Sequence, residues 1–376
     1  MTVLTTLTAR WGRPELYTAY RQDMALLNTA TKRSWTLALV VFALLLPFIL
    51  EDDLLLVLAT AFVVAIGAIG LNIVTGYAGQ VSLGHAFFIA VGAYTAAAIS
   101  GEPGTRLIGL GITSIPVWLL GAGLVAGLAG LVVAPLAARL RGLYLAIVTL
   151  GLVFIGEHVF KHWTGLTGGV GLGRPAAVPE LFGYQFHVDG SYLVRSQKLY
   201  LLMFILLIVF AVLARNFVRS RTGRALAAVR DRDLAAEVIG VNVTRYKTIA
   251  FVVSSFYAGV AGALLYVVIG FVEPTAFNLA MSVQYIAMIL IGGAATISGS
   301  IMGALFITLL PRITRELPAV LPFISTSSTG GGITVFQVES ILYGLLIIGF
   351  LIFEPRGLFG IWARVRSYWK AWPFSH

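Results

Sequence analysis

Residues 54–74 read LLLVLATAFVVAIGAIGLNIV, a run in which apolar side chains follow one another without alternation and without a charge. At about 1.5 Å of rise per residue, such a run reaches across a hydrocarbon layer roughly 30 Å thick. A strand of a membrane barrel would alternate in polarity, so the run reads as a membrane-crossing helix. Working outward, similar runs occupy Trp35 to Leu50, Val81 to Ile99, Leu107 to Pro135, Leu143 to Phe160, Leu199 to Ala214, Tyr246 to Phe271, Ser282 to Leu310 and Phe336 to Phe353. The expectation is an all-α, polytopic membrane helical bundle of about nine to ten membrane segments.

Composition agrees. Of 376 residues, 59% are hydrophobic and 11% charged, against roughly a half and a quarter in soluble domains. The 41 glycines suit membrane helices whose backbones approach closely. Cysteine is absent, which excludes a disulfide framework, a thiolate zinc site and a cysteine nucleophile. The net charge of +10 would suggest nucleic acid in a soluble protein, but here the cations cluster between apolar runs, where the positive-inside rule puts them. No nucleic-acid partner is expected. The first run begins only near Trp35, and no small-residue cleavage site follows before Glu51, so no signal peptide is expected and residues 1–34 read as a cytoplasmic N-terminal extension.

Charge also assigns sides. Acidic Glu51-Asp52-Asp53 falls outside, and Arg139 and Arg141 fall inside. The stretch from Lys161 to Lys198 falls outside, where it could meet a binding protein, form a gate or simply be solvated. The stretch from Arg215 to Lys247 is the most densely charged and falls inside. Nine simple crossings from a cytoplasmic start would leave the basic tail of Arg356, Arg364, Arg366 and Lys370 outside, against the rule. One run must therefore return to the side it entered. Ser282 to Leu310 is the expected broken or re-entrant pair, because its centre, Gly292-Gly293-Ala294-Ala295-Thr296-Ile297-Ser298-Gly299-Ser300, is a poor helix interior between two short halves; a long tilted helix with a kink is the competing reading. The membrane domain then covers 35–360, and 361–376 is a cytoplasmic tail.

A second unusual stretch is Gly70 to Thr95, which joins two runs with almost no charge yet carries Asn72, Tyr77, Gln80, Ser82, His85 and Tyr94 near membrane depth. Polar groups there are expensive unless they face a wet pathway or bond between helices. These six, with Ser298 from the other broken stretch, are the candidate substrate-pathway residues; bonding between helices is the competing reading. His85 has no second histidine or carboxylate at ligand spacing, so no metal site is expected. Glu157 and His158 read as residues at the outer edge of their span rather than a proton relay.

Gly70 to Ala96 resembles the signature of permease subunits of branched-chain amino acid ABC transporters, in which Gly-Leu-Asn leads into Gly-Gln-x-Ser-Leu-Gly-His. Thr222 to Asp231, Ala235 to Glu237 and Gly240 to Lys247 are similar to the family's cytoplasmic loop, and Phe353-Glu354-Pro355-Arg356-Gly357-Leu358-Phe359-Gly360 to the closing motif of its longer permease type. The resemblance covers about Trp35 to Gly360. It implies a permease without enzymatic activity or cofactor, in the bacterial inner membrane, paired with a second homologous permease, two ABC ATPase subunits and a periplasmic or lipid-anchored solute-binding protein. It also implies import of branched-chain or other amino acids, or of another small polar solute.

The residues themselves fit this division of labour. None of Lys32, Lys161, Lys198, Lys247 or Lys370 follows a glycine, so the chain carries no Walker A loop. Ala225 to Gly240 is Ala-rich and helix-favouring, and Gly240 suits a helix stop. Arg224, Leu226, Val229, Asp231, Ala236, Glu237 and Gly240 are the candidate ATPase-coupling residues, with Leu234, Val238 and Ile239 as further contacts. An amphipathic helix lying on membrane lipid is the competing reading of this loop. The alternative for the whole chain is an ATP-independent secondary transporter or channel for a small solute such as urea. A weak correspondence between Gly79 to Gly84 and Ala294 to Gly299 hints at a repeat, which either class could carry.

Overall fold

The computed structural model describes residues 30–102, 107–140, 142–181, 183–186, 193–315, 324–325 and 333–371. Most of the expected N-terminal extension lies outside the described residues. The chain falls into two compact units, 1–55 and 56–376. In the first, α1 (Ala30–Leu45) ends in a 3-10 turn at Leu46–Phe48, entered through Pro47.

In the second unit α2 (Asp52–Asn72, begun in the first) runs into a π-helical turn, Ile73–Tyr77. An extended stretch leads to α3 (His85–Ser100), then α4 (Ile115–Arg139) and α5 (Leu143–His162). The stretch that follows holds the single turn α6 (Thr164–Thr167) and the two-residue strands β1 (Arg174–Pro175), β2 (Glu180–Leu181) and β3 (Tyr184–Gln185). After α7 (Arg195–Arg219) come the short helices α8 (Arg221–Asp231) and α9 (Asp233–Val238), then α10 (Val243–Ile269) and β4 (Phe271–Val272). The rest comprises α11 (Leu279–Gly292), α12 (Ile297–Arg315), the two-residue strands β5 (Ile324–Ser325) and β6 (Ile333–Thr334), α13 (Val335–Phe353) and α14 (Gly357–Ala371).

By length and composition, six of the described helices can cross a membrane (α2, α4, α5, α7, α10, α12), and α13 with α14 makes a seventh bent by 45°. Three shorter apolar helices, α1, α3 and α11, complete a polytopic bundle of the expected size. Element starts differ by a few residues from the apolar runs. Leu107 to Thr113 is extended rather than helical, because Ile108, Leu110 and Ile112 give their amides to Gly165, Ala98 and Ile99.

The core is the seam of α10 with α3 and α4. Small residues create it: a Cβ on Gly92 would collide with the backbone of Gly259, and one on Gly259 with Ala122 and Ala126. Such close approach is how helices associate where lipid removes the hydrophobic driving force. Arg174 is buried and donates to the carbonyls of Ala97, Ile108 (2.6 Å) and Leu166 (3.0 Å), closing the C-terminal end of α3. Burial lowers its guanidinium from the ordinary value. β1 pairs with β4, so the stretch between α5 and α7 is stitched to the end of α10.

The expected broken pair is a helical hairpin. Gly292 lies against Gly299, and Gly303 against the Met288 carbonyl, so α11 and α12 run antiparallel in contact. The turn between them, 293–296, contains Ala295 at φ +59°, the single non-glycine residue with positive φ among the described residues.

Candidate functional site

Two interruptions of helical backbone meet at one end of the bundle. At the hairpin tip, Asn72 donates from Nδ2 to the Thr296 carbonyl (2.9 Å) and to Ser300 Oγ (2.8 Å). Its Oδ1 accepts from the Ala295 amide (2.9 Å). Asn72 is 1% exposed, so a single side chain holds three groups of a turn more than 220 residues away. The π turn that follows brings half-buried Tyr77 beside Ile297 and Arg230. Ser298 is exposed on the first turn of α12.

The second interruption, 78–84, is longer and passes between helices. Its backbone is satisfied piecemeal: Gln80 N donates to the Val74 carbonyl (2.9 Å), Thr75 Oγ1 to the Gln80 carbonyl (3.1 Å), and Leu83 N to Thr149 Oγ1 (2.9 Å). Ser82 Oγ accepts from Gly84 N (3.3 Å), and Ser282 Oγ takes the Ala86 amide at the mouth of α3 (3.0 Å). Non-helical backbone at membrane depth is tolerated only when protein or a cavity supplies partners, as these hydroxyls do.

The side chains here are less complete. Gln80 Nε2 donates to the Ala137 carbonyl (3.3 Å), but its Oε1 is buried without a partner. His85 packs its ring on Tyr285 (centroids 4.9 Å apart), and both His85 Nε2 and the Tyr285 hydroxyl are buried and unpartnered. Tyr285 also fills the space over Gly67, where a Cβ would come within 2.7 Å of its ring. Farther along α3, Tyr94 packs on Phe160 (5.1 Å) and Phe277 (5.9 Å), with its hydroxyl again unpartnered. The seven pathway candidates therefore divide into a tip group (Asn72, Tyr77, Ser298), a group at the mouth of α3 (Gln80, Ser82, His85), and Tyr94 alone. Sequence reasoning missed Tyr285, Ser282 and Thr149. They stand about 65 to 200 residues from their partners, and no local pattern marks them.

Beside the π turn lies the charged loop between α7 and α10. Ser220 caps α8, the chain bends at Arg232, and α9 stops at Gly240, whose φ of +89° fits the expected helix end. Leu226, Val229 and Ala236 are buried within this chain. Arg224, Asp231, Glu237 and Gly240 are exposed, together with an apolar ridge of Leu234 (65%), Val238 (87%) and Ile239 (75%). Lys247, itself buried, anchors α9 through Asp233 (3.6 Å). Arg230 reaches from α8 to the π turn, donating from Nη1 to the Gly76 carbonyl (3.1 Å). Among the described residues no group of three or more potential metal ligands occurs.

The family model described as the permease component of the branched-chain amino acid transport system matches residues 54–351. The chain belongs to this permease family. Relatives of the permease include the high-affinity branched-chain amino acid transport system permease protein LivM of Salmonella typhimurium, 29% identical over 348 residues, covering 88% of this chain and 76% of that protein. The high-affinity branched-chain amino acid transport system permease protein LivH of Escherichia coli is 24% identical over 303 residues, covering 79% of this chain and 91% of that protein. The ribose import permease protein RbsC of Haemophilus influenzae is 26% identical over 270 residues, covering 70% and 77%. No solved structure matches.

Proposed function

We propose that this permease forms one half of the membrane channel of an ATP-driven importer in the bacterial inner membrane, and that its solute is a branched-chain amino acid or a close relative. Two ABC ATPase subunits, a second homologous permease and a solute-binding protein complete the assembly. The observation that carries the reading is the Arg230–Gly76 bond, because it ties an exposed cytoplasmic loop directly to the broken helix that carries the polar groups. Nucleotide-driven movement of an ATPase against Leu234, Val238 and Ile239 pulls on α9 and α8, and Arg230 passes the displacement to the π turn. Interruptions of this kind are where transporter helices bend and where solutes are met.

The solute route passes the mouth of α3. There Gln80 Oε1, His85 Nε2 and the Tyr285 hydroxyl turn unpaired polar atoms into an otherwise apolar bundle, and unpaired groups at membrane depth favour a polar solute that can pair with them. Asn72 acts differently: its bonding capacity is used by the hairpin tip, so it clamps rather than lines. The relatives' names support the amino acid, while the ribose permease in the same set shows that kindred chains serve other polar solutes.

The deciding experiment is ATP-dependent uptake of labelled leucine into proteoliposomes holding the full complex, with Val238→Asp beside the parent. Placing a carboxylate on the apolar ridge should abolish assembly with the ATPase and uptake together, while the purified permease keeps its melting temperature. Uptake that persists without ATPase subunits would instead favour the ATP-independent alternative.

A further inference from the structure

The C-terminal helix α14 has an apolar face that this chain leaves uncovered. Gly357 and Phe359 pack toward the hairpin tip, where a Cβ on Gly357 would lie 2.5 Å from the Ile291 carbonyl and one on Gly293 would lie 2.7 Å from the Arg356 carbonyl and 3.1 Å from the Phe359 Cβ. Beyond them Ile361 (40% exposed), Trp362 (54%), Val365 (44%) and Tyr368 (61%) recur at helical spacing on one side. Arg364 and Arg366 flank that stripe, and the whole helix, GLFGIWARVRSYWKA, contains three basic residues and no acidic one. Arg364 is held by Glu354 (2.7 Å), whereas Arg366 is exposed.

α14 follows α13 after a 45° bend, and α13 exposes its own ridge of Ile341, Leu345, Ile348 and Ile352, as a lipid-facing membrane helix does. We infer that α14 is an interfacial anchor whose Trp362 stripe lies in the cytoplasmic leaflet and whose arginines engage anionic lipid headgroups. An aromatic and aliphatic face bordered by basic residues, turned away from α13 by a 45° bend, has the chemistry of that surface. Lipid seated here bears on the transport machinery, because the root of α14 is packed against the 291–293 end of the hairpin whose turn Asn72 holds.

The chain's lack of cysteine makes the test direct. Spin labels are attached to Val365→Cys, Tyr368→Cys and Ser367→Cys in the complete transporter, in nanodiscs of phosphatidylcholine with phosphatidylglycerol. Collision with oxygen is compared with collision with a water-soluble nickel chelate. The expected result is oxygen preference at 365 and 368 and chelate preference at 367. Chelate preference at 365 and 368 would place the stripe in water, and shielding from both reagents would place a protein over it; either overturns the anchor. Arg366→Glu, or discs of phosphatidylcholine alone, should weaken the seated population about fivefold per charge interaction lost. Oxygen preference indifferent to both changes would overturn the assignment to acidic lipid.

Discussion

The turn at 293–296 and the stretch at 78–84 both interrupt helices at membrane depth, but they are finished differently. The first is short and saturated: three bonds from Asn72 and a Thr296 Oγ1 bond to the Gly293 carbonyl (2.8 Å) leave it rigidly specified. The second is longer, closed by hydroxyls from α5 and α11, and surrounded by side chains with polar atoms to spare. A saturated break is a structural joint. An unsaturated one is a place where something polar can bind, since every partner it gains there is new.

This comparison can be broken most severely at Asn72. Asn72→Leu removes three interhelical bonds and strands the Ala295 amide, while the Thr296 carbonyl and Ser300 hydroxyl keep their bond to each other, so the purified complex should lose about 3 kcal/mol, from roughly 0.6 to 1.7 kcal/mol per interhelical bond in a membrane. A melting curve in detergent checks it. A variant as stable as the parent would mean the tip does not depend on this side chain.

Arg230→Gln comes next. Its partner is a carbonyl in a part-buried contact, and its ion pair with Asp231 (3.1 Å) is exposed, so stability should fall by less than about 1 kcal/mol. ATP hydrolysis should nevertheless continue with uptake reduced severalfold, because the link to the π turn is lost. Hydrolysis and uptake falling in proportion would show that Arg230 serves only assembly.

Gln80→Leu sharpens the contrast further. It removes one long hydrogen bond to Ala137 and one unpaired oxygen together, so the two effects largely offset and stability should change by no more than about 1 kcal/mol. Uptake should fall. A loss of stability as large as that of Asn72→Leu would erase the distinction between the two breaks.

Much of this architecture was legible in the sequence, because its rules are local or count-based. Apolar runs set the helices, and the break expected within Ser282 to Leu310 is the α11–α12 hairpin. The Gly-rich centre at 292–300 located the turn itself. What the sequence left open were relations across long separations. Nothing near Asn72 told whether it lined a route or bonded a helix, because its partners are Ala295, Thr296 and Ser300. The loop of α8 and α9 shows the same limit. Leu226, Val229, Leu234, Val238 and Ile239 looked equivalent as apolar residues, yet the bend at Arg232 sends the first two inward and leaves the last three exposed.

The most direct test of the central claim is Tyr285→Phe, assayed as leucine uptake per assembled complex alongside a melting curve. The substitution deletes one buried hydroxyl that has no protein partner and keeps the ring on His85 and over Gly67, so stability should stay within about 0.5 kcal/mol of the parent. If the mouth of α3 is the solute route, uptake should fall about tenfold, the effect of losing one hydrogen bond to a passing polar solute. Parent-level uptake at parent-level stability would contradict the account and move the route elsewhere in the bundle.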